Sequence, residues 1–185
     1  GAGKTTLCDR LLRDTSGMIR SISCTTRAPR GKEKDGVDYI FIAPDEFQQR
    51  VEQGRFLEYA EVHGHRYGTL RETVTTALLA GQSVLMVIDV QGAGQIREYV
   101  RRAGADDQNR QGFVDIFVSP PSPEELRKRL LARAEDAPGD IEKRLHNSKK
   151  EMEAMGCYRY RLVNDDLEEA YRRFREIIEK EMCRT

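Results

Sequence analysis

The first residues of the chain, GAGKTTL, have the types and spacing of a phosphate-binding loop. Such a loop reads G-x-x-x-x-G-K-[ST] and joins a strand to a helix; its backbone N–H groups cradle phosphates. Gly3, Lys4 and Thr5 fit the end of that pattern, and Gly1 and Ala2 fit its last variable positions. We therefore expect the loop's first glycine and the strand before it to be absent from this chain. Because GKT alone is a weak signal, a glycine-rich terminal tail is the alternative interpretation.

A second segment, SISCTTRAPR, combines two arginines with several hydroxyl side chains. Arg27 and Arg30 carry planar, forked guanidinium groups, which suit bidentate contacts to a phosphate. Tyr39 and Tyr67 add phenolic donors that a phosphate monoester can also use. The alternatives are a solvated loop with two ordinary arginines, and tyrosines that only pack.

Two carboxylates lie among apolar residues of predicted strands. Glu58, in FLEYAEV, is surrounded by apolar neighbours, and a buried carboxylate is rare unless it is paired. A guanine edge offers two adjacent N–H donors that one carboxylate can accept; adenine does not, so Glu58 would discriminate between the bases by ~10⁴-fold. Asp89 ends the apolar run LMVID, a place where phosphate-loop enzymes commonly hold magnesium. The alternatives are an outward-facing glutamate and an aspartate that only caps the next helix.

Further candidates lie in the last third of the chain. Arg133 and Arg144 stand on either side of a Gly/Pro/Asp break, which could hinge and bring arginines over transferring phosphates. Asn164 ends the predicted strand YRLVN, where an amide can bond an adenine edge. The alternatives are helix-surface charge for the arginines and a helix cap for the asparagine.

Apolar periodicity and capping residues predict an alternation of helices and strands. Helices are predicted at 5–13, 44–54, 70–81, 91–104, 122–134, 141–156 and 165–182. Strands are predicted at 18–24, 39–42, 55–68, 83–90, 113–121 and 160–164. This order favours an α/β fold with a parallel sheet covered on both faces. The stretch from 18 to 74 is richer in strands and turns and is typical of an inserted module.

Composition excludes several classes of protein. The chain has 185 residues, with 31 Lys and Arg against 31 Asp and Glu, which argues against a general nucleic-acid or acidic-membrane surface. No apolar run approaches the ~20 residues of a membrane-spanning helix. The cysteines have no C-x-x-C spacing, which favours a reducing, cytoplasmic location: they are Cys8, Cys24, Cys157 and Cys183.

The order of the segments resembles the guanylate kinase family over nearly the whole chain. The matching segments are GAGKTT, SxSCTTRxPR, DGxDYxF, FLEYAEVxGxxYGT, IDVQG, SPPSxEEL and VNDDL. The resemblance implies a P-loop kinase fold, a three-layer α/β/α parallel sheet with a small strand-rich GMP-binding module and a helical lid. It implies a single domain whose parts are a core (1–20, 75–132, 158–185), a GMP module (about 21–74) and a lid (about 133–157).

The resemblance also implies transfer of a phosphoryl group from ATP to GMP with Mg²⁺. The GMP phosphate would be held by Ser23, Arg27, Arg30, Tyr39 and Tyr67, and guanine would be read by Glu58 and Thr69, with Asp89 beside it. The ATP site would comprise Gly1, Ala2, Gly3, Lys4, Thr5, Thr6, Arg133 and Asn164, and Mg²⁺ would meet Thr5 and Asp89, directly or through water. The catalytic cations would be Lys4, Arg27, Arg133 and Arg144.

The expected partners are ATP and GMP, without nucleic acid or membrane, in a monomer or homodimer. One alternative is a non-catalytic, guanylate-kinase-like scaffold domain that binds peptides, although such domains tend to lose the loop and arginine residues that this chain keeps. Another is a kinase of a different phosphorylated small molecule, because relatives often carry an acid where this chain has Val87.

Overall fold

The computed structural model describes residues 1–104, 107, 112–133 and 138–183. The side chains of Arg133 and of residues 138–140 lie outside that description. The chain forms two compact units, Gly1–Asp14 with Val114–Thr185, and Thr15–Phe113. Among the described residues, no helix combines the length and the apolar character needed to cross a membrane.

Helices were predicted well from the sequence, each to within three residues at either end. They are α1 (Lys4–Asp14), α2 (Pro44–Glu52), α3 (Arg71–Leu79), α4 (Val90–Arg102), α5 (Pro123–Arg133), α6 (Pro138–Glu153) and α7 (Leu167–Met182), with a 3-10 helix at Ala154–Cys157. The strands are β1 (Met18–Arg20), β2 (Cys24–Thr25), β3 (Ile40–Phe41), β4 (Phe56–Val62), β5 (His65–Leu70), β6 (Ser83–Leu85), β7 (Ile116–Ser119) and β8 (Tyr160–Val163).

In the first unit, β7 and β8 pair in parallel, from Ile116 opposite Tyr160 to Ser119 opposite Val163. A parallel pair needs a crossover connection, which α5 and α6 lie within. The Ser122 hydroxyl caps the start of α5 by accepting the Glu125 N–H at 3.2 Å. The strand β8 is followed by α7, so this unit has the strand–helix alternation that the sequence predicts.

The second unit contains a four-stranded sheet in the order β3-β2-β5-β4. The hairpin between β4 and β5 turns at His63 and Gly64, whose φ values of 54° and 79° are those of a tight hairpin turn. The sheet packs α2 through Phe47, which is fully buried and stacks on Phe56 with ring centroids 4.5 Å apart. Cys24 completes this core.

The segment 18–24 was predicted as one strand, and that prediction is wrong. Ile19 pairs in parallel with Val84 of β6, whereas Cys24 pairs antiparallel with Gly68 of β5. The two ends of the segment therefore belong to two different sheets, and the backbone between them leaves the ladder. Hydrophobic alternation cannot show such a change, because both halves bury side chains with a period of two.

The run SVLMVIDV was predicted as a strand buried on both faces, and only Ser83–Leu85 is a strand. Its residues are half-buried rather than buried. Alternate side chains, Val84, Met86 and Ile88, pack against a core that includes Leu57 and Ile96. The segment therefore packs on the core through one face. Its described ladder with β1 ends at the pair Arg20 and Leu85, where β1 itself ends.

We predict that Phe47→Ala lowers the free energy of unfolding by about 3–5 kcal/mol, because it removes a fully buried ring and leaves a cavity against Phe56. Urea unfolding measures this loss. The control is Gln49→Ala, an exposed position of the same helix, which should change stability by no more than about 0.5 kcal/mol. Equal effects of the two substitutions would contradict the role of Phe47.

Candidate nucleotide site

The residues of the first unit that are predicted to bind phosphate lie at the start of α1. Gly3 has a φ of +84°, a conformation that favours glycine, and the helix begins at Lys4. The first turn contains no acidic side chain, and Thr5 and Thr6 are exposed. Unpaired N–H groups and the helix dipole make this end of an 11-residue helix suitable for an anion.

Asn164 is 4 % exposed and holds the phosphate loop in place. Its Nδ2 donates to the carbonyl oxygen of Ala2 at 2.8 Å. A Cβ on Gly3 would lie 2.1 Å from that Nδ2, so the loop needs a glycine there for a second reason. The structure thus gives Asn164 a loop contact that the sequence did not suggest, and its contact with adenine stays a prediction.

Arg129 is a residue whose role the sequence analysis missed. Its guanidinium donates to the carbonyl oxygens of Asn164 and Asp165 at 2.8 and 3.1 Å, and to the Glu125 carboxylate at 3.0 Å. It therefore ties α5 to the end of β8, next to the loop contact of Asn164. A surface-arginine pattern on a helix gives no signal for such a contact, because the acceptors are backbone groups.

The predicted lid arginines are described only in part. Arg133 is the last residue of α5 and its side chain lies outside the described residues, as does the following segment 134–137. Arg144 lies on α6 and is half-buried. Their roles above the phosphates stay predictions.

Arg27 is the centre of the phosphate-binding cluster predicted in the second unit. Its side chain is 6 % exposed, and Nη1 and Nη2 donate to the two carboxylate oxygens of Glu33, each at 2.9 Å. Nη1 also donates to the Ala28 carbonyl oxygen at 2.6 Å, and Nε donates to the Tyr67 hydroxyl at 3.2 Å. The guanidinium lies 5.3 Å from the Tyr39 ring centroid. Its orientation is thus fixed before any ligand is present.

Glu33 is the second functional candidate that the sequence analysis missed. Besides the Arg27 fork, it accepts the backbone N–H of Arg30 at 2.7 Å. The hydrogen bond from Arg27 lowers the pKa of Glu33, and the hydrogen bond to Glu33 raises the pKa of Arg27. The available signal was the spacing of Arg27, Arg30 and Glu33, which puts an acid three residues after Arg30 and six residues after Arg27 in a basic loop.

The other predicted phosphate ligands surround this pair. Tyr39 and Tyr67 have ring centroids 5.9 Å apart, and burial raises the pKa of Tyr39. Ser23 is half-buried and directly precedes β2, and Arg30 is exposed. The structure therefore brings Arg27, Tyr39 and Tyr67 together, with Arg30 on the same short loop.

The predicted guanine-reading pair is also brought together. Glu58 and Thr69 stand opposite each other in the β4–β5 ladder, and the Thr69 hydroxyl donates to Oε1 of Glu58 at 2.6 Å. Glu58 is 4 % exposed and Thr69 is fully buried. Burial raises the pKa of Glu58 to about 6, while the Thr69 hydrogen bond acts in the opposite direction and the negative charge of Asp89 adds a smaller increase.

Gly92 makes room for the Glu58 carboxylate. A Cβ on Gly92 would lie 2.3 Å from Oε2 of Glu58, which is closer than two unbonded atoms can approach. The glycine of the IDVQG segment is thus required by the close approach of a carboxylate to helix α4. The motif contained this residue, but only the tertiary contact shows what it does.

Asp89 adopts the helix-cap arrangement that the sequence analysis gave as the alternative. Its Oδ1 accepts the Gly92 N–H at 2.9 Å, and its Oδ2 accepts Nε2 of Gln91 at 3.0 Å. Across 1–104, 107, 112–133 and 138–183, no group of three or more His, Cys, Asp or Glu side chains could hold a metal ion. The magnesium role of Asp89 and Thr5 stays a prediction.

A helix start that suits an anion, a buried arginine and a buried carboxylate are features that nucleotide kinases use. The family model described as guanylate kinase matches residues 1–181. A guanylate kinase of Myxococcus xanthus is 42 % identical over 185 residues, which is all of this chain and 84 % of that protein. One from Thermotoga maritima is 40 % identical over 184 residues, with 84 % of that protein covered. The chain belongs to the guanylate kinase family.

A solved structure supports the same assignment. The guanylate kinase from Anaplasma phagocytophilum has a TM-score of 0.77 and 35 % sequence identity, over 96 % of this chain and 81 % of that one. Together with the parallel strand pairs, this likeness confirms the predicted α/β fold of the P-loop kinase type.

We predict that Glu58→Gln raises the free energy of unfolding by about 2 kcal/mol at pH 7.5. A pKa of about 6 in the folded protein, against an ordinary value of 4.5, means that ionised Glu58 destabilises the fold. The cost is full above pH 6 and disappears below about 4.5, so the advantage of glutamine should shrink as pH falls. Urea unfolding from pH 7.5 to 4.5 measures it; a constant difference would contradict the explanation.

We predict the opposite sign for Glu33→Gln, a loss of about 1–3 kcal/mol at pH 7.5, because a buried guanidinium loses its charged partner. The pKa of Glu33 is lowered by folding, so its contribution is present above the unfolded value and is lost as pH falls through the folded value. The same urea series tests this, with Glu52→Gln on α2 as the exposed control. A loss that persists undiminished at low pH would contradict an ionic contribution.

Proposed function

We propose that this protein transfers the terminal phosphoryl group of ATP to GMP, giving ADP and GDP. The observation that carries the proposal is the buried Glu58–Thr69 pair. Ionised Glu58 keeps Oε2 to accept an N–H, and guanine offers two adjacent ones, from the ring nitrogen and the exocyclic amine. Membership of the guanylate kinase family supports the same substrate.

The free-energy cost of burying the ionised Glu58 carboxylate would contribute to selectivity for guanine over adenine. Burial raises the pKa of Glu58, because the carboxylate has fewer hydrogen-bond donors around it than water would supply. Two donors from guanine would relieve that cost, whereas adenine would place an acceptor against the carboxylate. A buried polar group left unpaired costs enough to reject the wrong base by ~10⁴-fold.

Arg27 and its neighbours are suited to the phosphate of GMP. Four of its five N–H bonds are directed at Glu33, Ala28 and Tyr67, which leaves one on Nη2 for a ligand. The exposed Arg30 side chain and the hydroxyls of Tyr39 and Tyr67 supply further donors. The phosphate would thus be held by several groups whose positions Arg27 and Glu33 set, which favours in-line attack.

Phosphoryl transfer requires positioning and charge more than covalent help from the protein. A phosphate oxygen of GMP forms the new P–O bond, and the bond between the γ-phosphorus and the bridging β–γ oxygen of ATP breaks, releasing ADP. Lys4 and the N–H groups at the start of α1 would hold the donor phosphates, and Arg133 and Arg144 would come from a lid. Asn164, which fixes the loop through Ala2, would also lie beside adenine.

Magnesium is the cofactor we propose, with Thr5 and Asp89 as the residues that would hold it. The exposed Thr5 hydroxyl lies at the start of α1, and both Asp89 oxygens, though each accepts one N–H, retain lone pairs for a bound water. The ion would neutralise charge on the β- and γ-phosphates.

We also propose the reducing cytoplasm as the location of the protein. All four cysteines are free thiols, which fits that location.

We predict that the full-length protein releases ADP from ATP–Mg²⁺ with GMP as acceptor and that AMP, CMP and UMP are used at least ~10⁴-fold less well. Glu58→Gln should lower kcat/KM for GMP by 10²-fold or more, because the amide presents a donor where guanine also has one. Glu61→Gln, an exposed carboxylate of the same strand, is the matched control and should leave GMP use unchanged. A folded protein without turnover on GMP would contradict the proposal, and equal effects of the two variants would remove Glu58 from base recognition.

A further inference from the structure

Strand β4 lies at the edge of its four-stranded sheet, and helix α4 occupies the place where another strand would pair. In an antiparallel ladder, every second residue of an edge strand points its N–H and C=O away from the neighbouring strand. Tyr59 and Glu61 are such residues, and their outward backbone groups meet side chains of α4. The edge of the sheet is thus covered by a helix rather than exposed.

Gln95 makes the main contact. Its Oε1 accepts the Tyr59 N–H at 3.1 Å, and its Nε2 donates to the Tyr59 carbonyl oxygen at 2.6 Å. One side-chain amide therefore satisfies both backbone groups of one residue, as a paired strand would. Because an amide has a donor and an acceptor side by side, glutamine suits this geometry and a hydrocarbon side chain does not.

A second amide extends the contact along the strand. Gln91 lies one helical turn before Gln95 on the same face of α4, and its Nε2 donates to the Glu61 carbonyl oxygen at 3.2 Å. Between these positions, Gly92 lies against the carboxylate of Glu58. The helix therefore holds the backbone on the C-terminal side of Glu58 while leaving room for its side chain.

The β4–β5 ladder has an irregularity directly before Glu58. Phe56 stands opposite Leu70 and Glu58 opposite Thr69, so the register changes by one residue between Phe56 and Glu58. A bulge leaves one residue without a ladder partner, and a slip of one residue would turn the Glu58 side chain to the other face of the sheet. The register is continuous from Glu58 to Val62, so the contact from Gln95 adds to the ladder in holding the backbone next to the bulge.

We propose that Gln95 is a positioning residue for guanine recognition, because its amide fixes the Tyr59 backbone and thereby holds Glu58 opposite Thr69. This inference rests on the proposed function and names a residue that sets its selectivity without touching the substrate. The ligand feature that reports on this role is the exocyclic amine of guanine. The Glu58 carboxylate can accept that amine together with the ring N–H only when it is correctly placed.

The test compares GMP with IMP, whose base keeps the ring N–H and lacks the exocyclic amine. In the full-length protein, Gln95→Met should lower the ratio of kcat/KM for GMP to that for IMP by about tenfold, as expected when one hydrogen bond is lost. The KM for ATP should not change. Gln49→Met, an exposed position on α2, is the matched control and should leave the ratio unaltered.

The outcomes separate the possible roles. A Gln95→Met protein with a lower Tm and an unchanged ratio would show that the amide only stabilises the fold, and would overturn the inference. If that variant does not fold, Gln95→Glu decides, since it keeps the acceptor for the Tyr59 N–H and loses the donor to its carbonyl oxygen; the same fall in the ratio is expected. A wild-type protein inactive on GMP would instead refute the proposed function, and this inference with it.

Discussion

The burial of one carboxylate is the constraint on which the second unit depends. Glu58 is 4 % exposed and is ionisable, and a charge in that position needs partners. Thr69 supplies a hydroxyl, Gly92 supplies space, and the elements that carry them, β5 and α4, are placed accordingly. The bulge in β4 brings Glu58 opposite Thr69. This arrangement gives the Glu58 carboxylate fewer hydrogen bonds than it can accept, which suits a group that would accept donors from a ligand.

In the predicted phosphate-binding cluster of the same unit, by contrast, the buried charge has a partner of opposite charge. Arg27 is nearly as buried as Glu58, but a bidentate carboxylate from Glu33 compensates its charge. The Arg27–Glu33 pair stabilises the folded loop and fixes the guanidinium, whereas ionised Glu58, which accepts one hydrogen bond from Thr69, destabilises the fold. In the proposed GMP site, the phosphate would meet a charge-balanced ion pair and the base would meet a carboxylate whose charge is less well compensated. The base end is the one at which selectivity between nucleotides is needed.

Helices were predicted well because their signals are local. Ser122 and Pro123 start α5, and Asp166 accepts the Glu169 N–H at 2.9 Å at the start of α7, through contacts within four residues. Strands were predicted less well, because their partners are distant in sequence. The segment that contains Ile19 and Cys24 contributes to two sheets, and nothing in its alternation indicates where it changes partner.

The sequence by itself determined the chemistry of the site. The guanidinium of Arg27 suits a phosphate and the carboxylate of Glu58 suits a guanine edge, and the resemblance to guanylate kinases, which also includes Thr69, favoured these predicted roles over the alternatives. Tertiary structure decided which groups restrain them. Glu33 and Gln95 look like ordinary surface residues in the sequence, and they acquire roles only because Arg27 and the Tyr59 backbone come within hydrogen-bonding distance in three dimensions. Residue identity determines side-chain chemistry, whereas the restraint on a side chain's position arises from contacts between segments that folding brings together.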